Sequence, residues 1–77
     1  MDDAKEIKFE IVRKFGVLSD GSRGWHKEVN LVSWNDREPK LDIRDWAEDH
    51  TRMGKGITLT QDEAERLHDA LTAYLKK

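Results

Sequence analysis

The sequence has no cysteine, only one proline and no long apolar run. Without thiols the chain has neither a disulfide nor a thiolate metal site. None of its apolar segments approaches the roughly 20 residues that span a bilayer. The first six residues are acidic and carry no apolar signal segment. We therefore expect a soluble protein of the cytoplasm, including the nucleoid, with no membrane partner.

Histidine and glycine are also sparse, with three and five copies. The histidines are scattered without acidic residues at ligand spacing, so we expect no metal site. The glycines follow no phosphate-loop pattern. Ser33 and His26 are the one nearby nucleophile–base pair, and no third residue is placed to orient them. The sequence therefore predicts no enzyme, no catalytic residue and no cofactor.

The chain is short and acidic. Its 77 residues predict a single domain. So small a core favours stabilisation by a second copy, and we expect a homodimer. A net charge of −2 counts against a nucleic-acid partner. An acidic chain can still bind nucleic acid if its cations and carboxylates lie on opposite faces of the fold.

Period-two alternation predicts strands in the first half of the chain. Apolar residues occupy most odd positions from Ile7 to Val17, and Gly16 predicts a bulge or bend. The segment Asp20–Gly24 predicts a turn, in which Asp-Gly supplies the positive φ values of a hairpin. Trp25–Asn35 predicts a second strand. Because neither of its sides is cleanly apolar, we expect this strand to bend near Asn30.

Two further strands and a helix follow. The sequence predicts a turn over Asp36–Pro39, a third strand over Lys40–Trp46, a charged loop over Ala47–Met53 and a short fourth strand over Ile57–Leu59. Residues 60–77 predict the helix. The resulting α+β fold is β-β-β-β-α: residues 7–59 form a curved antiparallel sheet, the helix is C-terminal, and residues 1–6 form a disordered tail.

Capping signals and helical periodicity support that helix. Thr60 and Glu63 form a capping box, in which each side chain receives the other's backbone N–H. Apolar residues then recur at helical spacing. They are Ala64, Leu67, Leu71, Tyr74 and Leu75. This stripe predicts a contact with the core or with the helix of a second copy.

The third strand carries the strongest functional signal. Lys40, Asp42, Arg44 and Trp46 share one side of an extended chain, and Leu41 begins an apolar opposite side. Lysine, arginine and tryptophan on a sheet surface can hold phosphates and stack bases. We also expect Asp42 to pair with Arg44. The histidines at 50 and 68 are predicted to lie at the surface.

These motifs resemble a known family. Asp42-Ile43-Arg44-Asp45-Trp46, then Gly54-Lys55-Gly56-Ile57-Thr58-Leu59 and a capped helix, are similar to the positive cofactor four transcriptional coactivator family. Trp25-His26-Lys27-Glu28 and Ser33-Trp34-Asn35 resemble its small bacterial YdbC-like branch. The resemblance implies a homodimer that binds single-stranded DNA with little sequence preference.

The resemblance also implies site residues. Arg44 and Lys55 match backbone-contacting positions, and Trp46 matches an aromatic position. With Lys40 and the residues of the bacterial pattern, the predicted nucleic-acid site is Trp25, Lys27, Trp34, Asn35, Lys40, Arg44, Trp46 and Lys55. The chain lacks the Ser- and Lys-rich arm of the eukaryotic coactivators. The partner implied by the resemblance is single-stranded DNA, with RNA as a second nucleic acid to test. The alternative is a protein-interaction module that docks on transcription or repair proteins.

Overall fold

The computed structural model describes residues 7–76 as one four-stranded antiparallel sheet and one helix. The sheet order follows the chain, β1-β2-β3-β4. The elements are β1 (Phe9–Asp20), β2 (His26–Trp34), β3 (Lys40–Trp46), β4 (Met53–Leu59) and α1 (Gln61–Lys76), with a 3₁₀ turn at Ser22–Gly24 between β1 and β2. The predicted β-β-β-β-α order is confirmed. The predicted tail, residues 1–6, lies outside the described residues.

The irregularities of the sheet lie in β1. Its pairing with β2 shifts register three times, and one shift falls between Lys14 and Gly16, where a bulge was predicted. The bend predicted near Asn30 in β2 is wrong, because β2 pairs with β3 from His26 to Val32 without a shift. A central strand is hydrogen-bonded on both sides, whereas an edge strand such as β1 is free to accommodate bulges.

Two element boundaries differ from the prediction. In the first turn the positive φ values occur at Arg23 and Gly24, at 60° and 79°, and not at Asp20-Gly21. The fourth strand begins at Met53, four residues before the predicted start at Ile57, because its glycine-rich beginning pairs with β3 through backbone groups alone.

The turn between β2 and β3 starts earlier than predicted. Asn35 and Asp36 both have left-handed backbones, with φ of 53° and 64°. The Arg37 N–H donates to the Trp34 carbonyl over 2.9 Å. Two consecutive positive φ values closed by such a bond are typical of a type I′ hairpin turn.

The two faces of the sheet differ in burial. The tryptophan face carries His26, Glu28, Asn30, Val32 and Trp34 of β2 and Lys40, Asp42, Arg44 and Trp46 of β3. The helix face carries Val29, Leu31, Leu41, Ile43, Ile57 and Leu59. The apolar helix face was expected to form the core. Instead Trp46, Val32 and Asp42, all on the tryptophan face, have no exposed surface, whereas Phe15 and Ile57 are more than half exposed.

The helix is capped as predicted but covers little. The Thr60 N–H donates to Glu63 Oε1 over 2.9 Å, and the Glu63 N–H donates to Thr60 Oγ over 3.1 Å. α1 contacts β3 and β4, yet none of its residues is buried, and Leu71 and Leu75 are 45% and 69% exposed. In residues 7–76 no helix is long and apolar enough to cross a membrane.

Candidate nucleic-acid interface

A buried carboxylate organises the centre of the tryptophan face. Asp42 accepts two bonds from Arg44, Nε to Oδ1 and Nη2 to Oδ2, each over 2.9 Å. Thr58 of β4 donates its hydroxyl to Asp42 Oδ2 over 2.9 Å, and Arg44 Nη1 donates to the Gly54 carbonyl over 3.2 Å. The predicted pairing of Asp42 with Arg44 is confirmed. The pair fixes the guanidinium and offsets its charge.

Gly56 makes room for this arrangement. It pairs with Arg44 across β3 and β4. A Cβ added at Gly56 would overlap the Arg44 side chain and the Ile43 carbonyl. The absence of a side chain at this position is therefore required by the close approach of the β3 backbone and the Arg44 Cβ.

Four rings pack together above this network. Trp46 and Trp34 lie nearly parallel, with an interplanar angle of 8° and centroids 6.4 Å apart. Phe9 packs against both rings at 5.1 and 5.9 Å, and His50 contacts Trp46 at 5.6 Å. Trp46, predicted to stack on a base, has no exposed surface. In this structure it is a core residue, because Phe9, Trp34 and His50 surround its ring.

His50 is part of the same core and not a surface residue as predicted. Its Nε2 lies 3.0 Å from both carboxylate oxygens of Glu28, and Asn30 Nδ2 donates to Glu28 Oε1 over 3.1 Å. Glu28 is only 5% exposed. Burial raises its pKa, but the hydrogen bonds from Asn30 and His50 and the charges of His50 and Lys14 outweigh burial, so the pKa lies below its ordinary value.

The exposed part of Trp34 borders two adjoining shallow depressions, together called the Trp34 groove. The groove is lined by Ile7, Trp34, Asn35, Arg37, Glu38, Lys40, Arg44, Met53 and Thr58. The Arg44 Cζ lies 4.9 Å from the centre of the Trp34 ring. Four predicted site residues, Trp34, Asn35, Lys40 and Arg44, therefore converge on one surface.

Two cations of the groove have no acidic partner in the described part of the chain. They are Lys40, which was predicted, and Arg37, which was not. Arg37 lies in a segment of mixed charge that did not indicate a binding site. The Asn35-Asp36 dipeptide could have indicated its position, because a type I′ turn at these residues places residue 37 opposite Trp34.

The other predicted site residues lie elsewhere. Lys27 is on the helix-face side of β2, with its Nζ 3.6 Å from Asp45 Oδ1, and Trp25 directly precedes β2. Lys55 is exposed, has no ion pair within residues 7–76, and lies in the irregular stretch of β4 opposite Asp45. The eight predicted residues therefore do not share one surface, whereas Asp42 lies on the same side of β3 as Arg44, as predicted.

Metal-binding geometry does not occur in this region. Among the described residues, no three histidine or acidic side chains cluster closely enough to hold an ion. The polar groups of the tryptophan face bind one another instead. Three exceptions are Asn30 Oδ1 and the indole N–H groups of Trp34 and Trp46, which are buried without a hydrogen-bond partner among the described residues.

Residues 22–70 match the sequence profile described as Transcriptional Coactivator p15 (PC4). The chain belongs to this family. It is also 43% identical over 68 residues to an uncharacterized protein of Treponema pallidum (strain Nichols), which covers 88% of this chain and 80% of the relative. The PC4 match includes the Trp34 groove from Trp34 to Thr58. The assignment to the bacterial branch of the family stays a prediction.

The substitution Asp42→Asn tests whether the Asp42 carboxylate holds Arg44 in place. It removes the negative charge of the side chain but keeps its shape, so the largely buried guanidinium of Arg44 loses its counterion. We expect the free energy of unfolding to fall by about 3 kcal/mol in chemical denaturation. The matched control is Asp45→Asn, which breaks the exposed pair with Lys27 and is expected to cost about 0.5 kcal/mol or less. Equal effects of the two substitutions would contradict the anchoring role.

The lowered pKa of Glu28 predicts acid sensitivity. The carboxylate loses its proton more readily in the folded than in the unfolded chain, so its stabilising effect is complete above the ordinary value of 4.5. That effect is lost as the pH falls through the lower, folded pKa. We expect Glu28→Gln to be less stable than the parent protein at pH 7. Below pH 4.5, the free energy of unfolding of the variant should fall less steeply with pH than that of the parent. Parallel pH profiles would contradict this.

Proposed function

We propose that this protein is a homodimer that binds single-stranded DNA with little sequence preference, and that the Trp34 groove is its contact surface. The observation that carries the proposal is the convergence of a partly exposed indole with Lys40 and Arg37. A flat ring accepts any base, and free cations accept any phosphate. Membership of the PC4 family, whose fold is associated with single-stranded DNA binding and coactivation, supports this reading.

The groove residues have different roles in this proposal. Trp34 stacks on a base. Arg37 and Lys40 hold phosphates, because neither forms an ion pair with an acidic residue of the described chain, although Glu38 lines the same depression. Arg44 is held by Asp42 and contributes mainly by orienting Trp34 through its contact with the ring. Asn35 shapes the rim, since its left-handed backbone forms the hairpin turn. RNA is a competing ligand in the same groove, and the cytoplasm with its nucleoid is the proposed location.

The proposal includes no catalytic step. Ser33 and His26, the one nucleophile–base pair considered, lie on opposite faces of β2. Ser33 Oγ donates to the Arg37 carbonyl over 2.6 Å. His26 Nδ1 lies 2.9 Å from Asp20 Oδ1. The two side chains are thus occupied separately and do not meet.

The proposed dimer uses the helix face. Within residues 7–76 the buried apolar residues are only Val32, Trp46 and Ala47, a core too small for a stable monomer. On this face Leu71, Tyr74 and Leu75 of α1 and Ile57 of β4 are 45–69% exposed, whereas the apolar residues of β2 and β3 on the same face are partly buried. A second copy presents the same apolar surface, so a two-fold interface can bury both. The alternative, docking on transcription or repair proteins, would use this stripe instead.

Titration with labelled oligothymidylate tests the DNA site. We expect binding that weakens as salt is added, because phosphate contacts release counterions. Lys40→Gln should make the slope of log affinity against log salt less negative by about 0.7. Trp34→Leu should lose about 1–3 kcal/mol of stacking. The matched control is Arg66→Gln, an exposed helix cation paired with Asp62.

That control should bind like the parent protein. Binding independent of salt, or Trp34→Leu with unchanged affinity, would reject the groove as the DNA site. Binding of duplex DNA with equal affinity would reject the single-strand preference.

Sedimentation equilibrium tests the dimer. Leu71→Glu places a charge in the apolar stripe of α1 and should yield a monomer of reduced stability. Ala73→Glu introduces the same charge about 200° around the helix and should remain dimeric. A monomeric parent protein would favour the docking alternative, because the stripe would then be free for another protein.

A further inference from the structure

Arg52 and Trp25 form a contact at the end of the sheet remote from the β2–β3 turn. The Arg52 Cζ lies 5.5 Å from the centroid of the Trp25 ring, within the range of a cation–π interaction. The same indole lies against β4, because a Cβ added at Gly54 would be 3.6 Å from Trp25 Cζ3. The ring is therefore fixed by the sheet, and the guanidinium rests on a fixed support.

The guanidinium of Arg52 is available for an anion. In residues 7–76 it has no hydrogen bond and no ion pair. Asp49 is close enough for its pKa to be lowered partly by Arg52, but its hydrogen bonds come from the Thr51 N–H and hydroxyl. Arg23 lines the same depression as Arg52, together with Glu48. The depression thus combines two guanidinium groups with two carboxylates, one of them already hydrogen-bonded.

The position of Arg52 continues the Trp34 groove. Met53 lines that groove and is the next residue in the chain. The end of the sheet near the β2–β3 turn and the end near Arg52 are separated by the length of β3. Its seven residues span roughly 20 Å at about 3.3 Å per residue. A strand that leaves the groove past Met53, around the end of β4, meets the Arg52 guanidinium next. A strand of only a few nucleotides bound at Trp34, near the other end of β3, is expected to end before it.

We infer that Arg52, supported by Trp25 and assisted by Arg23, is a second anchor that holds a phosphate of the same nucleic-acid strand. This inference rests on the proposed function and extends its site beyond the groove. Arg52 is a binding residue. Trp25 acts through it by holding the guanidinium in place. Glu48 opposes the anchor, because its carboxylate lines the same depression.

Oligonucleotide length separates the two anchors. Labelled oligothymidylates of about four and about twelve nucleotides bracket the site sizes of single-strand-binding folds. Arg52→Gln should bind the longer one about tenfold more weakly, with a salt slope less negative by about 0.7, and bind the shorter one like the parent. Glu48→Gln should tighten binding of the longer oligonucleotide only.

Arg13→Gln is the matched control. The Arg13 Cζ lies 4.9 Å from the Phe15 ring, so this variant loses the same charge and the same kind of ring contact on the opposite edge strand. It should bind both oligonucleotides like the parent. Trp25→Phe should retain the length dependence and Trp25→Leu should lose it.

The outcomes separate the two proposals. If Arg52→Gln weakens both lengths equally, or neither, the second anchor is rejected while the groove stands. If the parent protein binds neither oligonucleotide, the proposed function is rejected and the anchor with it.

Discussion

The carboxylate of Asp42 is the group on which the tryptophan face depends. It is fully buried, and it is tolerable there because Arg44 and Thr58 satisfy both of its oxygens. These bonds run from β3 to β4 and along β3 itself, so they fix the guanidinium relative to the sheet. The guanidinium in turn lies against Trp34. The buried Asp42–Arg44 ion pair therefore positions Trp34, the indole that borders the groove.

The contact between His50 and Glu28 is a second polar interaction that supports the Trp34 and Trp46 rings. His50 bonds Glu28 and packs on Trp46, and Trp46 lies parallel to Trp34. The rings therefore pack on the Asp42–Arg44 ion pair, on the hydrogen-bonded Glu28–His50 pair and on one another. This arrangement places the small buried core of the chain on the polar face of the sheet and leaves the apolar face only partly covered by α1. A monomer built this way pairs its buried charged groups but leaves much of its apolar surface exposed.

Local signals in the sequence predicted the architecture well. Alternation, turn residues and the capping box predicted four strands and a helix, since each depends on neighbours a few positions apart. The pairing of Asp42 with Arg44 was predictable for the same reason. The family motifs were also local, and the match to the PC4 profile bears them out.

Burial was not predictable in this way. The interior position of Trp46 depends on Phe9, which is 37 positions away in the chain, and that of His50 on Glu28 across the sheet. The separation of Lys27 from Trp34 follows from strict alternation along β2, where a bend had been expected, and Trp25 lies before the strand begins. Arg37 lies in the groove because of the geometry of the hairpin turn. The sequence did not predict this, because acidic residues flank Arg37 in the chain.

Gly56 has a consequence for how this chain can diverge. The Cα and Cβ of Arg44 and the carbonyl oxygen of Ile43 occupy the space that any side chain at position 56 would need. Every residue except glycine has these atoms at position 44, so the restriction does not depend on the arginine. Homologous sequences should therefore keep a glycine at position 56 even where the arginine is replaced, whatever ligand each protein binds.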